Sequence, residues 1–126
     1  MIDDCYNASP ESVKAALLAF EHMHGVGKKI AVLGDMLELG DDSHFWHRQV
    51  GRFLKKSKSV KHLLLIGSHM KAVKETAPYG VCIETAENWQ DAVERLNSLI
   101  EDDSAVLVKG SRGMQLQNIV ATFAAK

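Results

Sequence analysis

The stretch that most restricts the fold of this chain is the unbroken apolar run over residues 30–33, which ends in Gly34 and Asp35. Runs of this kind are typical of strands that are buried on both faces, as in parallel sheets covered by helices. Two further runs lie at residues 63–66 and 105–108. In open α/β sheets, ligands bind beyond the carboxyl ends of the strands. The sequence therefore predicts a parallel sheet with Asp35 at its ligand-binding edge.

Stretches with helical spacing of apolar residues alternate with these runs. Serine, proline and an acid at residues 9–11 are typical of a helix start. Further helices are predicted from residues 41–43, from Ser68 to about Thr76, from a cap at Thr85, and after Gly113; short strands are predicted over residues 1–5 and 81–83. This alternation predicts a Rossmann-like α/β fold, with a mostly parallel sheet and helices on both faces.

Length and charge limit the kind of protein further. A chain of 126 residues is expected to form one domain, and its net charge of −1 does not suggest a nucleic-acid partner. No apolar run is long enough to span a bilayer, so no membrane partner is expected. Cys5 and Cys82 have no metal-type spacing and are expected to be small core residues of a reduced protein. We expect a cytoplasmic monomer.

Three loops are predicted to lie at the carboxyl ends of strands. They cover residues 3–9, 34–40 and 109–113. Because these ends share one edge in a parallel sheet, the three loops are expected to converge on one ligand.

The third loop reads Lys-Gly-Ser-Arg-Gly and leads towards a helix. Lys109 offers a cation, Ser111 a hydroxyl and Arg112 a guanidinium, and a helix amino terminus favours anions. A carboxylate or phosphate ligand would fit. The alternative is a tight turn made by Gly110 and Gly113 with a solvated arginine, and the spacing alone favours neither.

The second loop, Gly-Asp-Met-Leu-Glu-Leu-Gly, contains two acids. Asp35 is a candidate for holding a ligand ammonium group or for acting through water. Glu38 is expected to be a solvated loop acid, whereas Met36, Leu37 and Leu39 are expected to pack on the core.

The first loop contains Asp4, Tyr6 and Asn7. The ring and the amide are suited to contacting a base or sugar, and the carboxylate to accepting from a ribose hydroxyl. An Asx-type turn that enters the helix is the alternative, and the residues alone favour it.

His44 and His47 stand three residues apart, beside Asp41 and Asp42. No third ligand follows at a recognisable spacing, so we expect a surface cluster rather than a metal site. Residues 25–29 also lack the spacing and the hydroxyl of a phosphate loop. By itself, this chain is not expected to contain a standard ATP-hydrolysing site.

Four segments together resemble the carboxy-terminal domain of the Mur ligases of peptidoglycan synthesis. They are IDDCYNASPES at residues 2–12, VLGDMLELG at 32–40, HRQVG at 47–51 and VLVKGSRGM at 106–114. Their order and spacing match the family, and the resemblance spans essentially the whole chain. It is strongest to the branch that adds D-alanyl-D-alanine to UDP-N-acetylmuramoyl-tripeptide.

The resemblance implies an ATP- and Mg²⁺-dependent amide ligase. In such enzymes ATP phosphorylates the terminal carboxylate of the tripeptide, and the amine of D-alanyl-D-alanine attacks the acyl phosphate. An amino-terminal domain binds the UDP-sugar, and a central domain carries the phosphate loop and the magnesium ligands. We expect residues 1–126 to be the third domain of a longer protein, without these two domains and inactive in isolation.

The resemblance also implies roles for individual residues. Asp4, Tyr6 and Asn7 would lie on the adenosine side. Asp35 and His47 would belong to the acceptor-dipeptide site, with Asp35 towards the ammonium group. Lys109, Ser111 and Arg112 would face the acceptor carboxylate or the transferring phosphoryl group, with Lys109 the one candidate for a catalytic role.

Two other classes of protein remain open from the sequence. A receiver-type phosphoacceptor domain would use an early acidic pair, here Asp3 and Asp4, and a lysine after the last strand, here Lys109. It also needs an aspartate at the end of the central strand, and the run at 63–66, taken as central, ends without one. The other class is a stand-alone domain that binds a nucleotide or a dipeptide without catalysis.

Overall fold

The computed structural model describes residues 1–4, 8–37 and 39–124. These residues form five strands and five helices in strict alternation. The strands are β1 (Ile2–Asp4), β2 (Lys29–Gly34), β3 (Val60–Ile66), β4 (Cys82–Ala86) and β5 (Ala105–Lys109). The helices are α1 (Pro10–Glu21), α2 (Ser43–Phe53), α3 (Met70–Thr76), α4 (Trp89–Leu99) and α5 (Gln117–Ala124). Short 3₁₀ turns cover Gly40–Asp42, Leu54–Lys56 and Arg112–Met114.

All four strand pairings are parallel, and the strand order is β1-β5-β2-β3-β4. The chain crosses from β1 to β2 and later returns to insert β5 between them. β2 is therefore the central strand. The predicted Rossmann-like α/β class is confirmed.

Helices cover both faces of the sheet, as predicted. Successive residues of a strand point to opposite faces, so Ala31 and Leu33 pack on one side and Ile30 and Val32 on the other. The first face is covered by α1, α2 and α3, and the second by α4 and α5. All six residues of β2 are buried, which explains why its sequence is apolar without alternation.

The predicted start of α1 is confirmed in detail. The Ser9 hydroxyl accepts from the backbone N–H of Ser12 (3.2 Å), and the Ser12 hydroxyl accepts from the N–H of Ser9 (2.9 Å). This capping box satisfies two donors that a helix start leaves unpaired, and Pro10 occupies the first helical position, where no N–H is needed. Local sequence alone determines this boundary.

The predicted cap at Thr85 is wrong. Thr85 lies inside β4, where it pairs with Leu65 of β3, and the strand continues to Ala86. The side chain of Asn88 caps α4 instead, by accepting from the N–H of Asp91 (2.9 Å). Pairing with β3 extends the strand beyond residue 83, and this tertiary contact overrides the local capping signal of the threonine.

The predicted core position of Cys82 is also wrong. Its side chain is an exposed free thiol at the start of β4, an edge strand of the sheet. Cys5 lies outside the described residues. Among the helices of the described ranges, none combines the length and the apolar character that crossing a bilayer requires.

Candidate functional site

The carboxyl ends of β1, β5 and β2 are neighbours at one edge of the sheet. Lys109, the last residue of β5, pairs with Asp4 of β1 on one side and with Leu33 of β2 on the other. The loops that follow these three strands therefore leave from one place, as predicted. Tyr6 and Asn7 of the first loop lie outside the described residues, so their predicted contacts stay predictions.

Two glycines let the second and third loops approach each other closely. A Cβ added at Gly110 would lie 2.5 Å from Cδ1 of Leu116 and 3.3 Å from the Cα of Gly34, and one added at Gly34 would lie 2.7 Å from the same methyl group. Leu116 is fully buried, so it has little room to move away. Glycine at both positions thus brings the two strand ends together.

Ser111 ties these two loops by hydrogen bonds. Its backbone N–H donates to the carbonyl oxygen of Asp35 (3.2 Å), and its hydroxyl accepts from the N–H of Leu37 (2.7 Å). The side chains of Ser111 and Lys109 are both buried, at 7% and 3% exposure. The serine hydroxyl therefore holds the second loop in place, whatever else it contacts.

The apolar residues of the second loop differ in whether they pack on the core. Met36 is buried and Leu39 packs partly against the core, as predicted. Leu37 is instead exposed, so its predicted core position is wrong. Its N–H bond to Ser111 fixes the backbone there and turns the side chain away from the core. Glu38 lies outside the described residues.

The carboxylate of Asp35 is buried, at 4% exposure, directly after the central strand. Its Oδ1 accepts from the backbone N–H of His69 (3.0 Å) in the turn after β3. The carboxylate lies against Gly67, where a Cβ would collide with it, and φ of that glycine is +112°. Burial raises the pKa of Asp35, while the charge and the N–H of His69 oppose the rise.

The predicted surface position of His47 is wrong, because its ring is fully buried. Its Nε2 accepts from the backbone N–H of Met36 (3.0 Å), and its Nδ1 donates to the carbonyl oxygen of Ser43 (2.7 Å). The donor at Met36 assigns the proton to Nδ1, so the ring is neutral. Burial lowers the pKa of His47, which favours the same neutral form.

His47 therefore fixes the second loop from the side of α2. A proton on Nε2 would face the N–H of Met36 and abolish the bond. That this histidine also belongs to the acceptor-dipeptide site stays a prediction. What the geometry shows is a residue that positions the loop carrying Asp35.

The turn after β3 also contributes to this cluster, although no motif in the sequence predicted it. The ring of His69 stacks on His47, with centroids 5.0 Å apart, and its backbone binds Asp35. His69 is exposed, but it is also part of the site. One signal was available, because residues 67–69 follow a buried-type strand at the same sheet edge.

The third loop does not lead directly into a helix amino terminus, which corrects the prediction. A 3₁₀ turn begins at Arg112, and α5 starts only at Gln117. Between them Gln115 has a φ of +57°, a conformation that ends one helical segment before the next begins. The predicted contribution of a helix amino terminus to anion binding at this loop therefore has no support in the structure.

In the described part of the chain, no group of three or more His, Cys, Asp or Glu side chains comes together as a metal site. The edge does combine opposite charges, since Asp35 follows β2 and Lys109 ends the adjacent β5. Such a pair of charges suits a ligand with separate ammonium and carboxylate groups.

The strand order also bears on the receiver-type alternative. The central strand is β2 and not β3, so an aspartate, Asp35, does directly follow the central strand, contrary to the expectation from the sequence. However, receiver domains have the order 2-1-3-4-5, whereas this sheet is ordered 1-5-2-3-4. The carboxylate is also buried and bonded to His69. The structure does not favour a phosphoacceptor.

The fold and the site thus define a Rossmann-like domain whose candidate ligand site lies where three neighbouring parallel strands end. Comparison with known families identifies which family of such domains the chain resembles. The family described as "Mur ligase, glutamate ligase domain" matches residues 1–112. The chain belongs to this family.

Individual relatives agree with the family match. The chain is 36% identical over 123 residues to the UDP-N-acetylmuramoyl-tripeptide–D-alanyl-D-alanine ligase of Bacillus subtilis, covering 95% of this chain and 27% of that protein. A crystal structure of MurF from Acinetobacter baumannii matches with a TM-score of 0.83 and 30% identity, covering 98% of this chain and 28% of that one. MurF from Thermotoga maritima, solved in complex with ADP, has the same fold (TM-score 0.77, 24% identity, 96% of this chain and 27% of that one). The chain spans about a quarter of the length of these relatives.

Proposed function

We propose that this chain is the third, carboxy-terminal domain of an ATP-dependent ligase that adds D-alanyl-D-alanine to UDP-N-acetylmuramoyl-tripeptide. The proposal rests on family membership together with one observation. The loops after β2 and β5, which carry two of the motifs shared with that branch of the family, are joined at one sheet edge by Ser111. Relatives that carry this activity by name are similar over nearly the whole chain.

In this proposal the sheet edge binds the acceptor dipeptide. Asp35 attracts its ammonium group, and Lys109 and Arg112 attract its carboxylate or the phosphoryl group that is transferred. Since Asp35 follows β2 and Lys109 ends the adjacent β5, they would hold the two ends of one short zwitterion. Fixing the amine in this way directs it towards the acyl carbon, and orientation of this kind is a large part of amide-forming catalysis.

Ser111 and His47 have a positioning role in the same proposal. Both accept from backbone N–H groups of the second loop, at Leu37 and Met36. They hold the loop that carries Asp35 and need not touch the dipeptide. Asp4, Tyr6 and Asn7, on the neighbouring β1 loop, would contact the adenosine.

In this proposal, ATP and Mg²⁺ are bound mainly by the central domain of the longer enzyme, as the family resemblance implies. Of the acids whose side chains are described, Asp35 lies at this edge, and its Oδ1 already binds His69. These residues do not fit a metal site, and no step of the reaction is assigned to a metal on this chain. Bound Mg²⁺ would neutralise negative charge on the phosphates.

The domain would act by closing. Docking its loop edge onto the nucleotide brings the amine to the acyl phosphate and excludes water, which would otherwise hydrolyse that intermediate. An enzyme that uses ATP and a UDP-linked substrate acts in the cytoplasm, and we propose that it is a monomer. The other two domains, which would bind the UDP-sugar and the ATP phosphates, are not among these 126 residues.

A chimeric enzyme tests this proposal. In the Bacillus subtilis ligase, the matching quarter is replaced by this chain, and phosphate release is measured with ATP, UDP-N-acetylmuramoyl-tripeptide and D-alanyl-D-alanine. We expect ligation that depends on the dipeptide, and loss of it in the same chimera with Lys109→Met. A folded chimera that binds nucleotide but never ligates the dipeptide would refute the proposal.

The 126-residue chain alone provides the second half of the test. It is expected to release no phosphate from ATP under the same conditions. Turnover by the chain alone would contradict its role as one part of a larger site. Saturable dipeptide binding by the chain, combined with an inactive chimera, would instead support a stand-alone binding domain.

A further inference from the structure

The small net charge of the chain conceals a strong separation of charge. Residues 43–74 contain eight of the 15 lysines and arginines and none of the 16 aspartates and glutamates. The rest of the chain is therefore strongly acidic. A division of this kind within one domain points to a surface for a charged partner.

Six of these eight cations line one groove. A cavity of about 760 Å³ is bordered by the ends of α2 and α3 and by residues 77–83. A second cavity of about 170 Å³ continues from it and shares Lys55, Pro78, Tyr79 and Val81 with the first. The cations along this basic groove are Arg48, Arg52, Lys55, Lys58, Lys61 and Lys74.

Little within the chain neutralises these charges. Arg48 pairs with Glu75 (2.5 Å), the one acid that lines the groove in the described part of the chain. Arg52, Lys55 and Lys74 are exposed and have no ion pair among the described residues. Their like charges repel one another, so an anionic partner would relieve a cost that the folded chain already bears.

The groove lies at the opposite end of the sheet from the candidate site. Both α2 and α3 begin at the carboxyl edge, after β2 and β3, and run back to the amino edge where β3 and β4 begin. The groove is bordered by their final turns. A partner bound there would leave the loops at residues 34–40 and 109–113 free, so this inference does not depend on the proposed function.

We infer that the basic groove binds an extended acidic peptide segment of a partner protein, with apolar residues between the acids. The groove is concave and its wall is formed partly by Ala77, Pro78, Val81 and Ile83, which suits a peptide and not the flat surface of a bilayer. Tyr79 is fully exposed on this wall, and tyrosine is enriched among the residues that contribute most to binding at protein interfaces. β4 is an edge strand of the described sheet, and such edges accept an added strand.

A nucleic acid fits these observations less well. Proteins that bind polyanions by long-range attraction are basic overall, whereas this chain has a net charge of −1. The acidic remainder of the surface would repel a long polyanion while leaving a short acidic segment unaffected, because screening limits each charge to about 10 Å at moderate salt.

The test uses the 126-residue chain and a fluorescein-labelled octapeptide of alternating glutamate and valine. Fluorescence anisotropy is measured at low ionic strength, with a lysine–valine octapeptide as the charge-inverted probe. We expect the glutamate peptide to bind, the lysine peptide not to bind, and binding to disappear near 1 M salt, where the Debye length is about 3 Å. Backbone amide shifts on titration should map to residues 74–83 and not to Gly34 or Ser111.

Charge reversal localises the interaction. Lys55→Glu combined with Lys74→Glu should weaken peptide binding by at least about tenfold, since two attractions become repulsions. Lys71→Glu is the matched control, because Lys71 is an exposed cation on the same helix that does not line the groove. It should leave the affinity within about twofold.

Several results would overturn the inference. They are an affinity unchanged by the double reversal, an equal loss in the Lys71→Glu control, and binding of neither peptide. Vesicles of phosphatidylglycerol and a short DNA duplex are tested in parallel. If either binds through Lys55 and Lys74 while the acidic peptide does not, the groove serves a bilayer or a nucleic acid instead.

Discussion

Replacing His47 by glutamine and by leucine separates its hydrogen bond from its packing. Both residues fill much of the space of the imidazole. The Oε1 of glutamine can accept from the N–H of Met36, as Nε2 of the histidine does (3.0 Å), whereas leucine cannot. The carbonyl oxygen of Ser43 loses the bond from the histidine ring in both variants. It can still accept from a backbone N–H one helical turn later, as carbonyl groups in a helix do. The two variants thus differ mainly at one buried N–H group.

The expected difference follows from the burial of that group. Met36 is 1% exposed, so water cannot replace the lost acceptor. A buried donor without a partner costs about 1–3 kcal/mol. We therefore expect His47→Leu to have a free energy of unfolding lower than that of His47→Gln by about 1–3 kcal/mol. Out of a total of about 5–15 kcal/mol for a protein of this kind, that loss is readily measured.

Two measurements on the 126-residue chain check this difference. Urea unfolding, followed by circular dichroism, should give a midpoint for the leucine variant that is lower by on the order of 1 M, with an unchanged slope. Hydrogen exchange should show a local effect. The amide of Met36 should exchange about tenfold to a hundredfold faster in the leucine variant than in the glutamine variant, which corresponds to the same free energy.

The opposite outcomes are equally clear. If glutamine and leucine destabilise the fold equally, the hydrogen bond at Nε2 contributes nothing beyond the volume of the ring. If the amide of Met36 stays protected in the leucine variant, the loop is held by other contacts. Either result would remove His47 from its positioning role.

Three further predictions concern pH and packing at the same edge. Burial lowers the pKa of His47 below its unfolded value of about 6.5, so the unfolded chain takes up the proton first as the pH falls. The free energy of unfolding should therefore decrease as the pH drops below about 6.5. Urea titrations at several pH values should show a smaller decrease in His47→Gln. Gly110→Ala places a Cβ against Leu116 and should lower the free energy of unfolding by about 1–3 kcal/mol. A double-mutant cycle with Leu116→Ala should give a coupling energy of at least about 0.5 kcal/mol. A coupling energy near zero would contradict this contact. For Asp35 the folded pKa is raised, so the stabilisation belongs to the protonated form and is lost as pH rises through that pKa. Asp35→Asn keeps the acceptor for the N–H of His69 and should be at least as stable as the parent chain at pH 7, while ligation by the chimera falls; a destabilised asparagine variant would show that the charge supports the fold.

The sequence predicted the fold well where local signals and burial agree. The apolar runs of β2, β3 and β5 and the capping box of α1 each specify their element without help from distant residues. β4 is an element that its local sequence does not specify. Its length depends on pairing with β3, so Thr85 became a strand residue although it reads locally as a cap. Strand order likewise depends on how the chain crosses the sheet, which leaves no trace in a single segment.

The candidate site was predicted in position but not in its internal contacts. The sequence alone predicted that the second and third loops meet, because parallel strands end at the same edge of a sheet. That Ser111 binds the N–H of Leu37, or that Asp35 turns towards His69, depends on distances across the sheet. The buried state of His47 was missed because the residue was grouped with the polar side chains of His44, Asp41 and Asp42. Its burial depends on the second loop, whose backbone N–H at Met36 bonds to the ring.

The close contact of Gly34, Gly110 and Leu116 also has an energetic consequence for binding. The ordering of the two loops is completed when the chain folds, since both glycine positions are set by a core side chain. A ligand that arrives at this edge would not have to order them again, and fixing each backbone residue costs about 1–2 kcal/mol. The entropy loss of ordering the second and third loops thus occurs when the chain folds and does not recur each time a ligand binds.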